Sequence, residues 1–220
     1  MSRDRSTHQN FEKFYEKFPA KNAWDDLKEK ARLQARKTEV EFMCISEAEG
    51  NLLGQLGNFL SQGKPQKWVE VGALTGFSAL CLMSALPKGS ELWTCELSPE
   101  RSNFLRELFN DSRIGGKIHV VEGDSKVTVN ELTKNGPFDG IFIDGAKTDY
   151  LNNLDWAEKN LKPGGYVLAD NIFLNGDLYA ESNKRNQVME KFVERLGDPK
   201  IFRSVLLPNT DGLWLAQFLG

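Results

Sequence analysis

VEVGALTGFSAL, Val69 to Leu80, reads as the end of an apolar strand, a turn holding Gly72 and Gly76, and the start of an apolar helix. In an open α/β sheet, such a junction is where a ligand approaches the backbone beyond the carboxyl end of a strand. Outward from it, KWVEVG leads into a helix over Gly76 to Leu86, ELWTCEL into one over Pro99 to Asn110, and KIHVVEG into one over Ser125 to Lys134. FDGIFID precedes a helix over Thr148 to Leu161, and GYVLAD one over Asn183 to Leu196. Strands alternating with helices predict an α/β fold with a parallel sheet covered on both faces. IFRSVLLP and GLWLAQFL, joined across NTD, predict a closing β-hairpin that brings in an antiparallel element.

Local punctuation agrees with this division. Ser46 opens SEAE, which has capping-box spacing, and Leu52, Leu53, Leu56, Phe59 and Leu60 continue one helical face. Ser98 precedes Pro99 as a helix N-cap, and KPGG after Leu161 reads as a stop. Residues 1–37 read as an N-terminal helical extension, with amphipathic stretches over Phe11 to Phe18 and Trp24 to Lys37 broken at FPAKN, and 38–220 as the core of a single domain.

Of the 220 residues, 40% are hydrophobic and 27% charged, which suits a globular domain with a sizeable core. A formal charge of -3 offers a polyanion no attraction, so a small-molecule substrate is expected rather than nucleic acid. Cys44, Cys81 and Cys95 match no zinc or redox spacing and read as reduced, buried thiols. The polar MSRDRSTHQN has no apolar signal core, and no run of about 18 apolar residues occurs, so a cytoplasmic protein without a membrane partner is expected.

The glycine spacing Gly72-x-x-x-Gly76 differs from the G-x-G-x-x-G of pyrophosphate-binding turns and disfavours an NAD(P)-dependent oxidoreductase. Glu96 closes the second strand, where an acid can accept hydrogen bonds from ribose hydroxyls. Glu70 and Glu96 flank the turn; an exposed strand-end carboxylate is the plainer reading of each alone. EGDS ends the third strand, and Asp124 and Ser125 are candidates for an adenine edge, with Ser125 equally suited to N-cap the next helix.

FDGIFIDGAKTDY, Phe138 to Tyr150, ends its strand at Asp144 and places Lys147 three residues on; LADNIF ends the next at Asp170 and Asn171. If those strands are neighbours, three oxygen donors converge, a set suited to Mg²⁺, with Mn²⁺ or Ca²⁺ as competitors. His8 and His119 are the only histidines, which argues against a histidine-based zinc site. A lysine beside a bound cation has its pKa lowered towards that of a general base. A plain turn at Asp170-Asn171 and a solvated Lys147 are the alternatives.

Taken together, VEVGALTGFSAL, ELSPE, EGDS, FDGIFIDGAKTDY, GGYVLADNIFLNG and LLPNTDGLWLA resemble the cation-dependent class I O-methyltransferases, which include catechol and caffeoyl-CoA O-methyltransferases and bacterial members. The likeness runs from about Met43 to Leu219. It implies a Rossmann-like, seven-stranded, mostly parallel sheet with an antiparallel C-terminal strand, in which strand 4 lies beside strand 1 and strand 5 beside strand 4. It also implies S-adenosylmethionine as cofactor. Met43 and Ile45 match the segment covering its methionine part, Glu70, Gly72, Gly76 and Ser78 the methionine-binding turn, Glu96 the ribose acid, and Asp124 and Ser125 the adenine contacts. Asp144, Asp170 and Asn171 match the metal ligands, Asp144 bordering the cofactor as well, and Lys147 matches the proposed base, so that Lys147 and Asp144 are the implied catalytic residues. The implied acceptor is a small ortho-dihydroxy aromatic, free or carried as a thioester, and the implied assembly a homodimer. Leu174 stands where many relatives have a Trp, and Leu74 replaces an aromatic seen in the catechol enzymes. No N/D-P-P-Y/F segment of the exocyclic-amine methyltransferases of nucleic acid is present. A non-enzymatic cofactor-binding module is disfavoured by the intact Asp144, Asp170, Asn171 and Lys147 set.

Overall fold

The computed structural model describes residues 23–114, 117–176, 178, 183–208 and 211–220. Seven strands form one sheet: β1 (Lys67–Val71), β2 (Glu91–Glu96), β3 (Ile118–Glu122), β4 (Phe138–Ile143), β5 (Leu161–Ala169), β6 (Phe202–Leu207) and β7 (Leu213–Phe218). Their order is β3-β2-β1-β4-β5-β7-β6; β1 to β5 are parallel, and β7 runs antiparallel to both β5 and β6. The expected mostly parallel sheet with one antiparallel C-terminal strand is therefore the observed one.

Strand side chains alternate between two cores, as the pleat requires. Val69, Val71, Ile141, Ile143, Val167 and Ala169 face one core, and Trp68, Phe142 and Leu168 face the other. The first is covered by α5 (Ser125–Glu131), α6 (Tyr150–Asn160) and α7 (Lys184–Leu196); the second by α1 (Asp25–Lys37), α2 (Glu47–Ser61), α3 (Phe77–Ala85) and α4 (Pro99–Phe109). Leu27 and Ala31 of α1 are buried in that second core, so this helix packs on the sheet's own helices. The stretch Phe11 to Phe18 lies outside the described residues.

Three local readings change. The strand expected at GYVLAD begins earlier, at Leu161: α6 stops at Asn160, as KPGG signals, but KPGG itself lies inside β5, with pairing to β4 shifting register between Phe138 and Gly140. The N-cap of α5 is Asp124, whose Oδ1 accepts from the Lys126 amide at 2.9 Å, and Ser125 is the first helical residue. The segment before α6 begins with a short 3₁₀ turn, Lys147–Asp149. At α2 the expected capping box is present: Ser46 Oγ accepts from the Glu49 amide and the Glu49 carboxylate accepts from the Ser46 amide.

Candidate active site

The strand order reverses between β1 and β4, and a cavity of 520 Å³ opens beyond the carboxyl ends of the strands there. Ladder hydrogen bonds carry on to its rim. The amide of Asp144 donates to the Val71 carbonyl at 2.9 Å, that of Asp170 to Ile143 at 3.1 Å, and that of Gly123 to Glu96 at 2.9 Å. Residues just past the strands are thus fixed by the sheet itself.

Gly72 has φ +102°, and a Cβ there would lie 2.3 Å from the Asp144 carbonyl oxygen, so only glycine lets β1 and β4 close at this point. Met43, Ile45, Gly72, Ser78, Glu96, Asp124, Ser125, Asp144, Lys147 and Asn171 line the cavity. Glu70, Gly76 and Asp170 do not. Gly76 faces Leu105 and Phe109 of α4, packing the helix start from behind. Glu70 is fully buried and accepts a short hydrogen bond from Thr94 Oγ1; its Oε1 has no partner among the described residues. Burial raises its carboxyl to about 7, against the lowering effect of the Ser78 and Thr94 hydroxyls.

Glu96 is almost fully buried and already engaged. Its Oε2 accepts from the Leu74 amide at 2.9 Å, and its Oε1 from the Ser98 amide and Arg101 Nε, both at 2.8 Å. Arg101, which sequence reading passed over, lines the same cavity five residues after the acid. Phe42 and Leu97 stand at the cavity wall with 85% and 67% of their surface exposed. From outside, the α1 residue Arg32 props the wall: it donates to the Ile45 carbonyl at 3.3 Å and lies 3.8 Å from the Phe77 ring centroid.

At the other end of the cavity, adjacency of β4 and β5 brings Asp144, Lys147, Asp170 and Asn171 together. Lys147 Nζ lies 3.7 Å from Asp144 Oδ1, 3.2 Å from Asn171 Oδ1 and 3.3 Å from the Asp170 carbonyl oxygen. Asn171, at φ +54°, donates from Nδ2 to Asp170 Oδ2 at 3.3 Å. A solvated lysine was the alternative reading; Lys147 is instead held, and donates a short hydrogen bond to the hydroxyl of Tyr150. Burial pushes the Asp144 carboxyl up and the Lys147 amine down, and their mutual attraction opposes both effects. Asp170 is raised to about 6, by burial first and then by Glu49. Burial and the carboxylates of Asp144, Asp170 and Asp211 hold the Tyr150 phenol well above its ordinary value, so it stays protonated.

Among the described residues, no three His, Cys, Asp or Glu side chains gather into a metal cluster. The expected set is two acids and an amide, and its donor chemistry fits a hard cation. Asp170 Oδ1 is buried without a partner, and the Asp144 carboxylate lies 3.7 Å from the Lys147 ammonium nitrogen. Leu174 does not form a wall of the cavity: at φ +53° it turns into the core at 5% exposure, while the neighbouring Phe173 ring packs on Gly212.

Known proteins of similar sequence and shape bear on this geometry. The chain is 29% identical over 183 residues to a catechol O-methyltransferase of Niastella koreensis, covering 79% of this chain and 81% of that protein. It is 29% identical over 206 residues to a caffeoyl-CoA O-methyltransferase of Pinus taeda, covering 88% and 78% respectively. In structure it is similar to an O-methyltransferase from Bacillus cereus solved in complex with SAH, with a TM-score of 0.84 at 21% identity, covering 94% of this chain and 96% of the other. A family model described as O-methyltransferase matches residues 20–219, and the chain accordingly belongs to the O-methyltransferase family.

Proposed function

We propose that this chain transfers a methyl group from S-adenosylmethionine to one hydroxyl of a small ortho-dihydroxy aromatic, with a divalent cation, Mg²⁺ by preference, held by Asp144, Asp170 and Asn171. The observation that carries the reading is the convergence of these three oxygen donors with Lys147 at the rim of a cavity on the β1/β4 switch point. Relatives named for catechol and caffeoyl-CoA O-methylation support the acceptor class.

In this reading Met43, Ile45, Gly72 and Ser78 hold the methionine part of the cofactor, Glu96 the ribose, and Asp124 and Ser125 the adenine edge. Glu70 and Gly76 act from behind the wall, by fixing the turn. Bound there, S-adenosylmethionine would supply an electrophilic sulfonium methyl to a deprotonated acceptor hydroxyl, with S-adenosylhomocysteine as the leaving product. A divalent cation held by Asp144, Asp170 and Asn171 would supply Lewis acidity that lowers the pKa of an acceptor hydroxyl. Lys147 takes the hydroxyl proton on Nζ, and its buried setting favours the amine that can do so. Asp144 and the Asp170 carbonyl hold the resulting ammonium, so the proton stays within the site. Most of the acceleration comes from holding the acceptor in line, in the cavity at the carboxyl ends of the strands.

The three thiols, all unpaired, suit a reducing cytoplasmic setting. Phe42, Phe59 and Leu33 leave apolar surface that a homodimer can cover.

Turnover with labelled S-adenosylmethionine and caffeate tests the reading. Label is expected in the phenolic ether with Mg²⁺ and not with excess EDTA, and Lys147→Met is expected to lower kcat about 100-fold. EDTA-insensitive transfer, or near-wild-type turnover of Lys147→Met at saturating metal, contradicts the mechanism.

A further inference from the structure

Tyr150 follows Lys147 by three residues and opens α6. Its ring is fully buried and packs edge-on against Phe192, with centroids 5.0 Å apart. Its hydroxyl reaches the ends of both neighbouring strands, 2.9 Å from the Asp170 carbonyl oxygen and 3.2 Å from that of Ile143. A phenol has one proton to donate. With that proton on a strand-end carbonyl, the oxygen lone pairs remain for Lys147 Nζ, which donates to them. Lys147 Nζ also lies 4.3 Å from the centroid of the same ring.

We propose that Tyr150 is the positioning residue for Lys147, its hydroxyl fixing the amine between the ends of β4 and β5 so that the nitrogen lone pair faces the acceptor. The inference rests on the reading of Lys147 as the base. A neutral amine has two N–H bonds. The Tyr150 oxygen and the Asp170 carbonyl accept both, and both are anchored at the ends of β4 and β5. The lone pair is then left on the side of Asp144 and Asn171, where the acceptor oxygens are expected. Without the hydroxyl, a four-carbon side chain loses one of its two fixed acceptors and samples other rotamers, while the ring and its packing remain.

The test is a double-mutant cycle on kcat at saturating Mg²⁺, S-adenosylmethionine and caffeate, using Tyr150→Phe, Lys147→Met and the double variant. Tyr150→Phe is expected to lower kcat about tenfold, with the acceptor KM and the Kd for S-adenosylhomocysteine within about twofold of wild type, and to cost nothing further in the Lys147→Met background. Equal loss in both backgrounds, or no loss in either, overturns the inference and leaves the base in place. Wild-type turnover of Lys147→Met removes the base, and this inference with it. A second measurement, on the wild-type protein, depends on no variant folding. The Lys147 Nζ signal in a ¹⁵N-lysine NMR spectrum is expected to show a rigid amine, and a freely rotating one overturns the proposal.

Discussion

Glu70 is a carboxyl with no solvent contact, one unpartnered oxygen and two hydroxyl neighbours, and its protonation is tied to the stability of the turn it supports. Its ordinary value of 4.5 is raised to about 7 in the fold. Between those values the folded protein keeps a proton that the unfolded chain has lost, so stability falls as pH rises through that window, by about 3 kcal/mol for this group alone. Glu70→Gln mimics the protonated form. In urea unfolding of the ligand-free protein, the stability of Glu70→Gln relative to wild type is expected to rise by about that amount between pH 4.5 and pH 7.5; a difference that stays constant with pH contradicts the assignment. Residue chemistry of this kind is only half legible in sequence. Asp144, Lys147, Asp170 and Asn171 could be picked out because each sits at a strand end or in the loop that follows. Tyr150 stood in the same quoted stretch, but its role depends on the β4 and β5 carbonyls that its hydroxyl meets, and no spacing rule reports those.

At the scale of elements, the junction of β1, its turn and α3 brings the two ends of the cavity together. The absence of a side chain at Gly72 lets the Asp144 backbone pass, and the same contact links the cofactor turn to the loop that carries Lys147. Gly72→Ala combines a positive φ with a 2.3 Å contact to a backbone oxygen. It is expected to cost about 3 kcal/mol, roughly 10 °C in Tm, and to weaken S-adenosylhomocysteine binding as well. A variant that melts and binds as wild type contradicts this account of the turn. Elements with strong local signals were legible: the capping box at Ser46, Pro99 after Ser98, and the hairpin of β6 and β7 all stand where the sequence put them. KPGG marked the end of α6 but not the start of β5, because turn residues in sequence say nothing of pairing, and here they are absorbed into the strand with a register shift against β4. Ser125 lost the N-cap to Asp124 because both residue types cap well, and the strand end fixes which comes first.

For the whole molecule, the order β3-β2-β1-β4-β5-β7-β6 makes a chemical site out of residues far apart in sequence. Alternation of strands and helices was enough to call for a parallel sheet, but the adjacency of β4 to both β1 and β5 came from the resemblance rather than from periodicity. Contributions from helices were hidden for the same reason: Arg32 reaches Phe77 and the Ile45 carbonyl from α1, and Arg101 reaches Glu96 from α4. No helix among the described residues is long and apolar enough to cross a membrane. The central claim is that one cavity binds an S-adenosylmethionine-type cofactor and, through a cation, an ortho-dihydroxy acceptor. Its most direct test is calorimetric titration with S-adenosylhomocysteine followed by caffeate, in Mg²⁺ and again in excess EDTA. The account predicts cofactor binding in both conditions and acceptor binding only with Mg²⁺; acceptor binding that is unchanged by EDTA, or no cofactor binding at all, would contradict it.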